Sequence, residues 1–361
     1  MSKAADAIGV SSDTLALVES GKHCLTLNQL RNAAEKYDFP LGYFYLSSPP
    51  EKSFKPIPDF RVEPSLHGVD HYRLNLEIKK CRERRNIFID LAARLEMEVK
   101  PFQLLPDESA RNVGSLIRER LGVLDTDFNT LKFEDTYAYW KNIIERDGVL
   151  VYESQYIPDK SGVIGAAMFY DTYPIILIKR GGNFNERKLF TLLHEYAHLL
   201  LGKSAINDAG AQVVRRDDPS VDGLEARCNA LAGEILIPAE KIDLSVYTGL
   251  AAADKMELLS RTFKVTYTTA AVCLRKLQLI SNTEFIHLLD LRRKANETKS
   301  QSKGEGARIP RENLMRLDMG RPMFKTVLEA YSVGLLDIFD TSKILNLRVK
   351  KIDGLVSGLR R

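Results

Sequence analysis

Residues 189–202 read LFTLLHEYAHLLLG, an apolar helical stretch with two histidines, His194 and His198, set into it. Side chains four residues apart lie on the same face of a helix, so both imidazoles can face one metal ion. Glu195 follows the first histidine, where its carboxylate can take a proton from water at the metal. The flanking leucines predict a buried helix, in which unpaired imidazoles would be costly. This H-E-x-x-H pattern therefore predicts a metal site rather than two surface histidines.

The composition is that of a soluble globular protein. Hydrophobic residues make up 44% of the 361 residues and charged residues 28%, which leaves room for two or three domains with a sizeable core. No apolar run approaches the length of a membrane span, and the N-terminus lacks the plan of a signal peptide. The four cysteines are scattered without a C-x-x-C pair, which is typical of reduced thiols. We therefore expect a cytoplasmic protein without membrane association.

Positive charge is concentrated at the C-terminal end. The net charge is +4, and residues 300–361 contain twelve Lys and Arg against seven Asp and Glu. A basic region of this kind permits contact with nucleic acid without requiring it.

The N-terminal residues 2–22 predict a helix, a glycine turn and a second helix, with Ser11 or Ser12 as the N-cap. A further helix is predicted over residues 27–37. The run from Ala4 to Ser11, followed by Glu19-Ser-Gly, resembles the XRE (Cro/repressor-like) helix-turn-helix family. The resemblance implies weak DNA contacts for a small set of residues, Ser11, Ser12, Thr14 and Lys22.

Two departures from the XRE pattern weigh against DNA recognition. The chain begins where the second helix of that family begins, so we expect a truncated module. The presumed recognition helix carries Asp13 and Glu19 but no Arg, Lys, Asn or Gln for base edges, and its carboxylates would face phosphate. This favours a degenerate docking module over a working DNA reader.

A Pro-rich linker over residues 47–61 precedes a helix predicted from about residue 70 to 95. The helix has a basic face, formed by Lys79, Lys80, Arg82, Arg84 and Arg85, that either is solvated or contacts nucleic acid.

Three short strands are predicted before the helix that carries His194 and His198, here called the metal helix, at 149–152, 165–169 and 174–179. Their order is typical of a small zincin sheet. The last strand is predicted to be the edge with which an extended substrate pairs, through Ile175, Ile176, Leu177 and Ile178.

A catalytic zinc takes three protein ligands and keeps one position for water, so a third donor is expected downstream. Residues 221–238 predict a second helix that ends at a proline. Glu225 and Asn229 share one face of it and can present a carboxylate to the metal and an amide that orients a histidine. Glu234 and Cys228 are alternative donors, for which a structural acid and a buried apolar side chain are the commoner explanations.

His194-Glu-Tyr-Ala-His198, combined with Glu225-Ala-Arg-Cys-Asn229-Ala-Leu-Ala-Gly-Glu-Ile-Leu-Ile-Pro238, resembles the ImmA/IrrE metallopeptidases over about residues 59–282. The resemblance implies that His194, His198 and Glu225 bind zinc or another divalent ion such as Mn²⁺, with Glu195 as the general base. Four candidates for stabilising the oxyanion remain open: Tyr170, Tyr173, Tyr196 and Arg227.

Members of that family make a limited cut in a partner regulatory protein. The resemblance implies a metal-dependent, site-specific endopeptidase acting on a transcriptional repressor or a toxin–antitoxin partner encoded nearby, in a stress or mobile-element setting, with DNA as a possible further partner. The alternative is a DNA-binding or antitoxin-like binding protein whose metal site is silent or structural. Glu195 favours the enzyme, since a structural site has no use for an acid there.

The predicted fold is α+β: a mainly helical chain with a small zincin-type β-sheet protease core, flanked by helix-turn-helix-like modules. The predicted domains are a truncated XRE-like module (1–46), a linker (47–61), the peptidase core (62–250), a helical module (251–293), a flexible linker (294–309) and a basic helical module (310–361).

Overall fold

The computed structural model describes residues 5–6, 8–37, 41–46, 69–105, 112–159, 162–181, 187–208, 219–300 and 310–359. The chain forms two compact units, residues 1–56 and residues 57–361. The predicted linker 47–61 lies outside the described residues.

The N-terminal unit contains helices α1 (Ser12–Glu19) and α2 (Leu27–Tyr37) and a 3₁₀ turn at Leu41–Tyr45. Ser11 is the N-cap of α1, since its hydroxyl accepts the Thr14 N–H at 3.1 Å. A small core joins the elements through Ala5, Ile8, Leu15 and Ala33. Ser11, Ser12 and Lys22 are exposed, and their contact with DNA stays a prediction.

The second unit contains a four-stranded sheet and most of the helices. Its strands are β1 (Leu150–Ser154), β2 (Val163–Met168), β3 (Ile175–Lys179) and β4 (Ala205–Asp208). Its helices before the last strand are α3 (Val69–Arg94), α4 (Val113–Arg120), α5 (Asp127–Thr130), α6 (Thr136–Arg146) and α7 (Lys188–Leu200). The later helices are α8 (Pro219–Leu236), α9 (Ala252–Phe263), α10 (Tyr267–Lys276), α11 (Asn282–Ser300), α12 (Arg311–Ser332), α13 (Ile338–Leu345) and α14 (Val349–Leu359).

The strand order is β1-β3-β2-β4, with β1 parallel to β3 and both other pairs antiparallel. Strand β3 is therefore interior. The prediction that Ile175, Ile176, Leu177 and Ile178 pair with a substrate is wrong, because β1 and β2 already occupy the two backbone edges of this strand. The β-branched pattern that suggested a strand marks one in which every residue is buried.

Each face of the sheet has its own hydrophobic core, because successive side chains of a strand point to opposite faces. On β3, Ile176 and Ile178 belong to the core that contains the metal helix, and Ile175 and Leu177 to the other core. The first core is built mainly with α4 and α6–α10, and the second with α3 and α12–α14. The fold is α+β, as predicted.

Two predicted modules are integral parts of these cores. Leu259 of α9 and Leu274 of α10, within 251–293, are fully buried in the first core. Met323 and Val327 of α12, within 310–361, are fully buried in the second. The predicted linker 294–309 begins inside α11, which is helical to Ser300, and residues 301–309 lie outside the described part of the chain.

The basic face of α3 is partly used inside the protein. Arg85 donates to the carbonyls of Thr172 (2.7 Å) and Tyr173 (2.9 Å), and Arg84 donates to the carbonyl of Asp318. These arginines fasten α3 to neighbouring segments, which leaves less of the face for either predicted role. Across the described residues, no helix has the length and apolar character needed to cross a membrane.

Candidate metal centre

Helix α7 is apolar on all sides, and every residue from Thr191 to Leu200 is buried. A helix of this kind is stable only when protein surrounds it. The sheet covers one side of α7 and α8 another. His194, Glu195 and His198 therefore lie in the protein interior.

A close helix crossing fixes the position of α8. A Cβ atom at Gly114 of α4 would lie 2.2 Å from the Glu234 carbonyl oxygen of α8, far inside contact distance. Only glycine allows α4 and α8 to approach this closely. Gly114 thus lets α8, the helix that carries Glu225, pack closely against α4 in its position beside α7.

Three side chains from α7 and α8 converge on one point. His194 Nε2 lies 3.1 Å from His198 Nε2 and 3.1 Å from Glu225 Oε2, and His198 Nε2 lies 3.2 Å from Glu225 Oε1. All three residues are buried, with at most 6% of their surface exposed. Across the described residues, this is the one group of three or more His, Cys, Asp or Glu side chains close enough to hold an ion.

The donor set fits a divalent transition metal. Two imidazole nitrogens and one carboxylate form a catalytic zinc ligand set that leaves a fourth position open. Ligands about 2.1 Å from a tetrahedral ion are roughly 3.4 Å apart, close to the distances observed here. Packing two imidazoles and a carboxylate together in a dry site would be costly without an ion that binds all three.

Asn229 lies one turn after Glu225 on α8. His194 Nδ1 donates to Asn229 Oδ1 at 2.9 Å, which leaves the lone pair on Nε2 facing the other two ligands. A hydrogen bond of this kind fixes the tautomer and ring orientation of a ligating histidine. The structure thus places the Asn229 amide against the His194 ring.

Glu195 is fully buried and points toward the sheet, where it packs against Gly165 of β2. A Cβ atom at Gly165 would lie 2.7 Å from Glu195 Oε1 and 2.7 Å from Thr191 Cγ2. The carboxylate can therefore occupy its position only because residue 165 is glycine. Nothing local in the sequence marks Gly165, since an isolated glycine in a short strand gives no sign of what approaches it.

A buried ionic cluster holds the start of α7 against β1. Glu153, which has no exposed surface, accepts from Lys188 (2.5 Å), Lys141 (2.9 Å) and Tyr137 (3.1 Å). Burial would raise the pKa of Glu153, but Lys141 and Lys188 together lower that pKa below its usual range. Lys188 is the first residue of α7. Nothing local in the sequence marks this cluster either, because its members lie far apart in sequence.

The alternative ligands lie elsewhere. Cys228 is buried in the first hydrophobic core, and Glu234 faces Lys276 at 3.7 Å. Neither belongs to the metal-binding group.

Three of the candidate oxyanion donors have other roles. The Tyr196 hydroxyl donates to Asp147 (2.6 Å) and accepts from Arg120, and burial raises its pKa well above the usual value. Tyr170 and Tyr173 pack with the second core, on the opposite side of the sheet from the metal helix. Arg227, the remaining candidate, is two residues from Glu225 and so lies on a different face of α8.

Comparison with known proteins assigns this part of the chain to a family. Residues 149–275 match the model of the IrrE N-terminal-like domain, a peptidase family designated M78. The matched stretch includes the whole sheet, both helices that carry the three converging ligands, and α9. Neither curated proteins nor solved structures gave a significant match.

Proposed function

Since residues 149–275 form an ImmA/IrrE-family metallopeptidase domain, we propose that this protein is a zinc-dependent endopeptidase that makes a site-specific cut in a partner regulatory protein. The observation that carries the proposal is the convergence of His194, His198 and Glu225 beside the buried acid Glu195. A divalent ion at these ligands supplies Lewis-acid chemistry: it polarises the peptide carbonyl and makes water a better nucleophile at neutral pH.

Each protein residue then has a definite task. Glu195 accepts the proton of the attacking water and passes it to the nitrogen of the leaving amine. Asn229 keeps His194 in the tautomer that binds through Nε2. The contact with Gly165 holds the Glu195 carboxylate in place before substrate binds.

The burial of the site supports a narrow substrate range. His194, Glu195 and His198 have at most 1% of their surface exposed. A polypeptide can reach them only where it fits the surrounding surface, which is unlike a general protease with an open cleft. We propose a repressor-like protein or a toxin–antitoxin partner encoded nearby as the substrate, and the cytoplasm as the setting.

Strand β4 is a better candidate than β3 for pairing with the substrate. In the described part of the chain β4 pairs with β2 alone, and its Asn207 is opposite Gly165, which contacts Glu195. At the other edge of the sheet, Gly320 of α12 packs against the Val151 carbonyl of β1. An extended peptide on the outer edge of β4 would lie one strand away from β2, the strand that touches Glu195.

The test uses the full chain together with each protein encoded beside it, with zinc or with a chelator. The wild type is expected to cut one neighbour in zinc alone. Glu195→Gln is expected to retain zinc without cutting, and Glu225→Gln to lose zinc as well. Glu234→Gln, a change of the same kind on α8 away from the site, should behave like the wild type.

Metal binding without cleavage would favour the alternative function, a DNA-binding or antitoxin-like binding protein. If zinc is bound and no neighbour is ever cut, while a stable complex or a DNA shift persists in Glu195→Gln, the enzyme proposal fails. A trapped complex of Glu195→Gln with its substrate also tests the strand assignment. Hydrogen exchange should slow at the amides of β4 and stay unchanged at those of β3, which are already paired.

A further inference from the structure

A charged cavity of about 580 Å³ lies away from the metal ligands, where β1 and β3 end. These strands are parallel neighbours, with Ser154 of β1 opposite Lys179 of β3, so both chains leave the sheet at the same side. In open sheets with parallel strands, ligand sites are common just outside the carboxyl ends of the strands. The residues that follow, Gln155 to Asp159 and Arg180 to Gly181, form two walls of the cavity.

Helix α3 forms the third wall with one face. Arg73, Leu76, Glu77 and Lys80 line the cavity at the i, i+3, i+4 and i+7 positions of a helix. Glu77 Oε2 accepts from the Ser154 hydroxyl at 2.6 Å, which joins the helix to the end of β1. The cavity is thus enclosed by elements that are fastened to each other, and its volume is in the range of small-molecule sites.

Positive charge predominates on the walls. The lining residues include four cations, Arg73, Lys80, Lys179 and Arg180, against two acids, Glu77 and Asp159. Asp318, which does not line the cavity, bonds to Arg180 and reduces the surplus to one.

Lys179, the most buried of these four cations, has an ion-pair partner whose side chain is exposed. Lys179 is 3% exposed and pairs with Asp159 at 2.8 Å, whereas the Asp159 side chain is 80% exposed. An incoming anion can therefore share the Lys179 ammonium with the exposed Asp159 carboxylate.

The rest of the wall is apolar and aromatic. Leu76, Ile157 and Pro158 line the cavity beside Tyr156, whose ring lies 5.6 Å from the Lys80 ammonium. A ligand that matches these walls combines an anionic group with a flat or apolar part. A phosphomonoester carries about −1.5 to −2 charge at neutral pH, which suits the basic side.

We propose that this cavity is a binding site for a small phosphomonoester attached to an aromatic or apolar group. The phosphate contacts Arg73, Lys80 and Lys179, and the remainder packs on Tyr156 and Ile157. The site is independent of the metal centre, so its test needs no peptidase activity.

The probe is adenosine monophosphate, with adenosine and inorganic phosphate as matched partial ligands, measured by calorimetry and thermal unfolding of the full chain. The monophosphate should bind and raise the unfolding temperature, by an amount that grows with the logarithm of its concentration above the Kd. Adenosine should not bind, and inorganic phosphate should bind more weakly.

Two variants on α3 separate this site from general charge attraction. Arg73→Ala combined with Lys80→Gln should weaken binding about tenfold or more, since each removes a charged contact. Lys80 donates to Glu77 Oε1 at 2.8 Å, and the glutamine can still donate there. Lys79→Ala removes the neighbouring charge outside the cavity and should leave the affinity unchanged. Equal weakening by Lys79→Ala, equal binding of adenosine, or no binding of the monophosphate would each overturn the proposal.

Discussion

Replacing Gly165 by alanine should impair the peptidase reaction while the metal site stays intact. The added Cβ atom would lie 2.7 Å from Glu195 Oε1, 2.7 Å from Thr191 Cγ2 and 3.0 Å from Glu195 Cγ. Heavy atoms in contact need about 3.5 Å, so the carboxylate or the strand has to move by roughly 0.8 Å. None of the three metal ligands is among these neighbours.

The magnitudes follow from that displacement. Overfilling a packed interior costs about 1–3 kcal/mol of unfolding free energy. A catalytic group displaced by about 1 Å loses on the order of a hundredfold in rate, so we expect kcat to fall about 10–100-fold. Metal content should remain at the wild-type level. The assays are urea unfolding, metal analysis and cleavage of the partner protein found in the neighbour screen.

Two further variants make this prediction specific. Adding Thr191→Ser to Gly165→Ala removes one of the clashing atoms and should recover part of the lost stability, but little activity, since the clash with Glu195 persists. Gly233→Ala on α8, where nothing lies within 4 Å of the new Cβ, should stabilise the helix by about 0.5–1 kcal/mol and leave cleavage unchanged. Full activity of Gly165→Ala with zinc bound would refute the positioning of Glu195 by β2.

Three other changes test neighbouring parts of the structure. Asn229→Ala should lower metal affinity about 10–100-fold by releasing the His194 ring, measured by competition with a chromogenic chelator; unchanged affinity would exclude this role. Gly320→Ala should cost about 2–5 kcal/mol in urea unfolding, because φ 71° and ψ 159° are nearly exclusive to glycine and the new Cβ would lie 2.7 Å from both Glu145 Oε1 and the Val151 carbonyl. Burial raises the pKa of Glu145 to about 7. The folded state therefore binds this proton more tightly than the unfolded state, and stability should fall by about 3 kcal/mol as pH rises from about 4.5 to above 7. Glu145→Gln should remove that part of the slope.

The second core shows why the sequence could not predict that the C-terminal helices belong to the same unit as the sheet. A Gly/Ser-rich, polar stretch after residue 294 suggested that the C-terminal helices stand apart. In the structure, Lys141 donates to the Leu317 carbonyl, Arg84 donates to the Asp318 carbonyl, and Glu145 accepts the Arg321 N–H. Contacts across more than 170 residues leave no local signal, because the periodicity of a helix reports an apolar face but not its partner.

The sequence by itself determined the chemistry of the candidate site. The 3.6-residue period groups His194, Glu195 and His198 on one helix and Glu225 with Asn229 on another. The choice of Glu225 over Glu234 and Cys228 came from the resemblance to the ImmA/IrrE family. The sequence also determined that strands precede the metal helix and that Ser11 or Ser12 caps α1, since these too are local properties; the structure selects Ser11.

Only the tertiary structure decided what surrounds that chemistry. Strand order depends on which backbone edges meet, and the apolar pattern of β3 is the same whether one neighbour or two pair with it. The proximity of Gly165 to Glu195 and the ionic cluster at Glu153 likewise depend on packing between distant segments. Spacing along each helix could thus group the candidate ligands, whereas the position of the Glu195 carboxylate is set by the strand against which its helix packs.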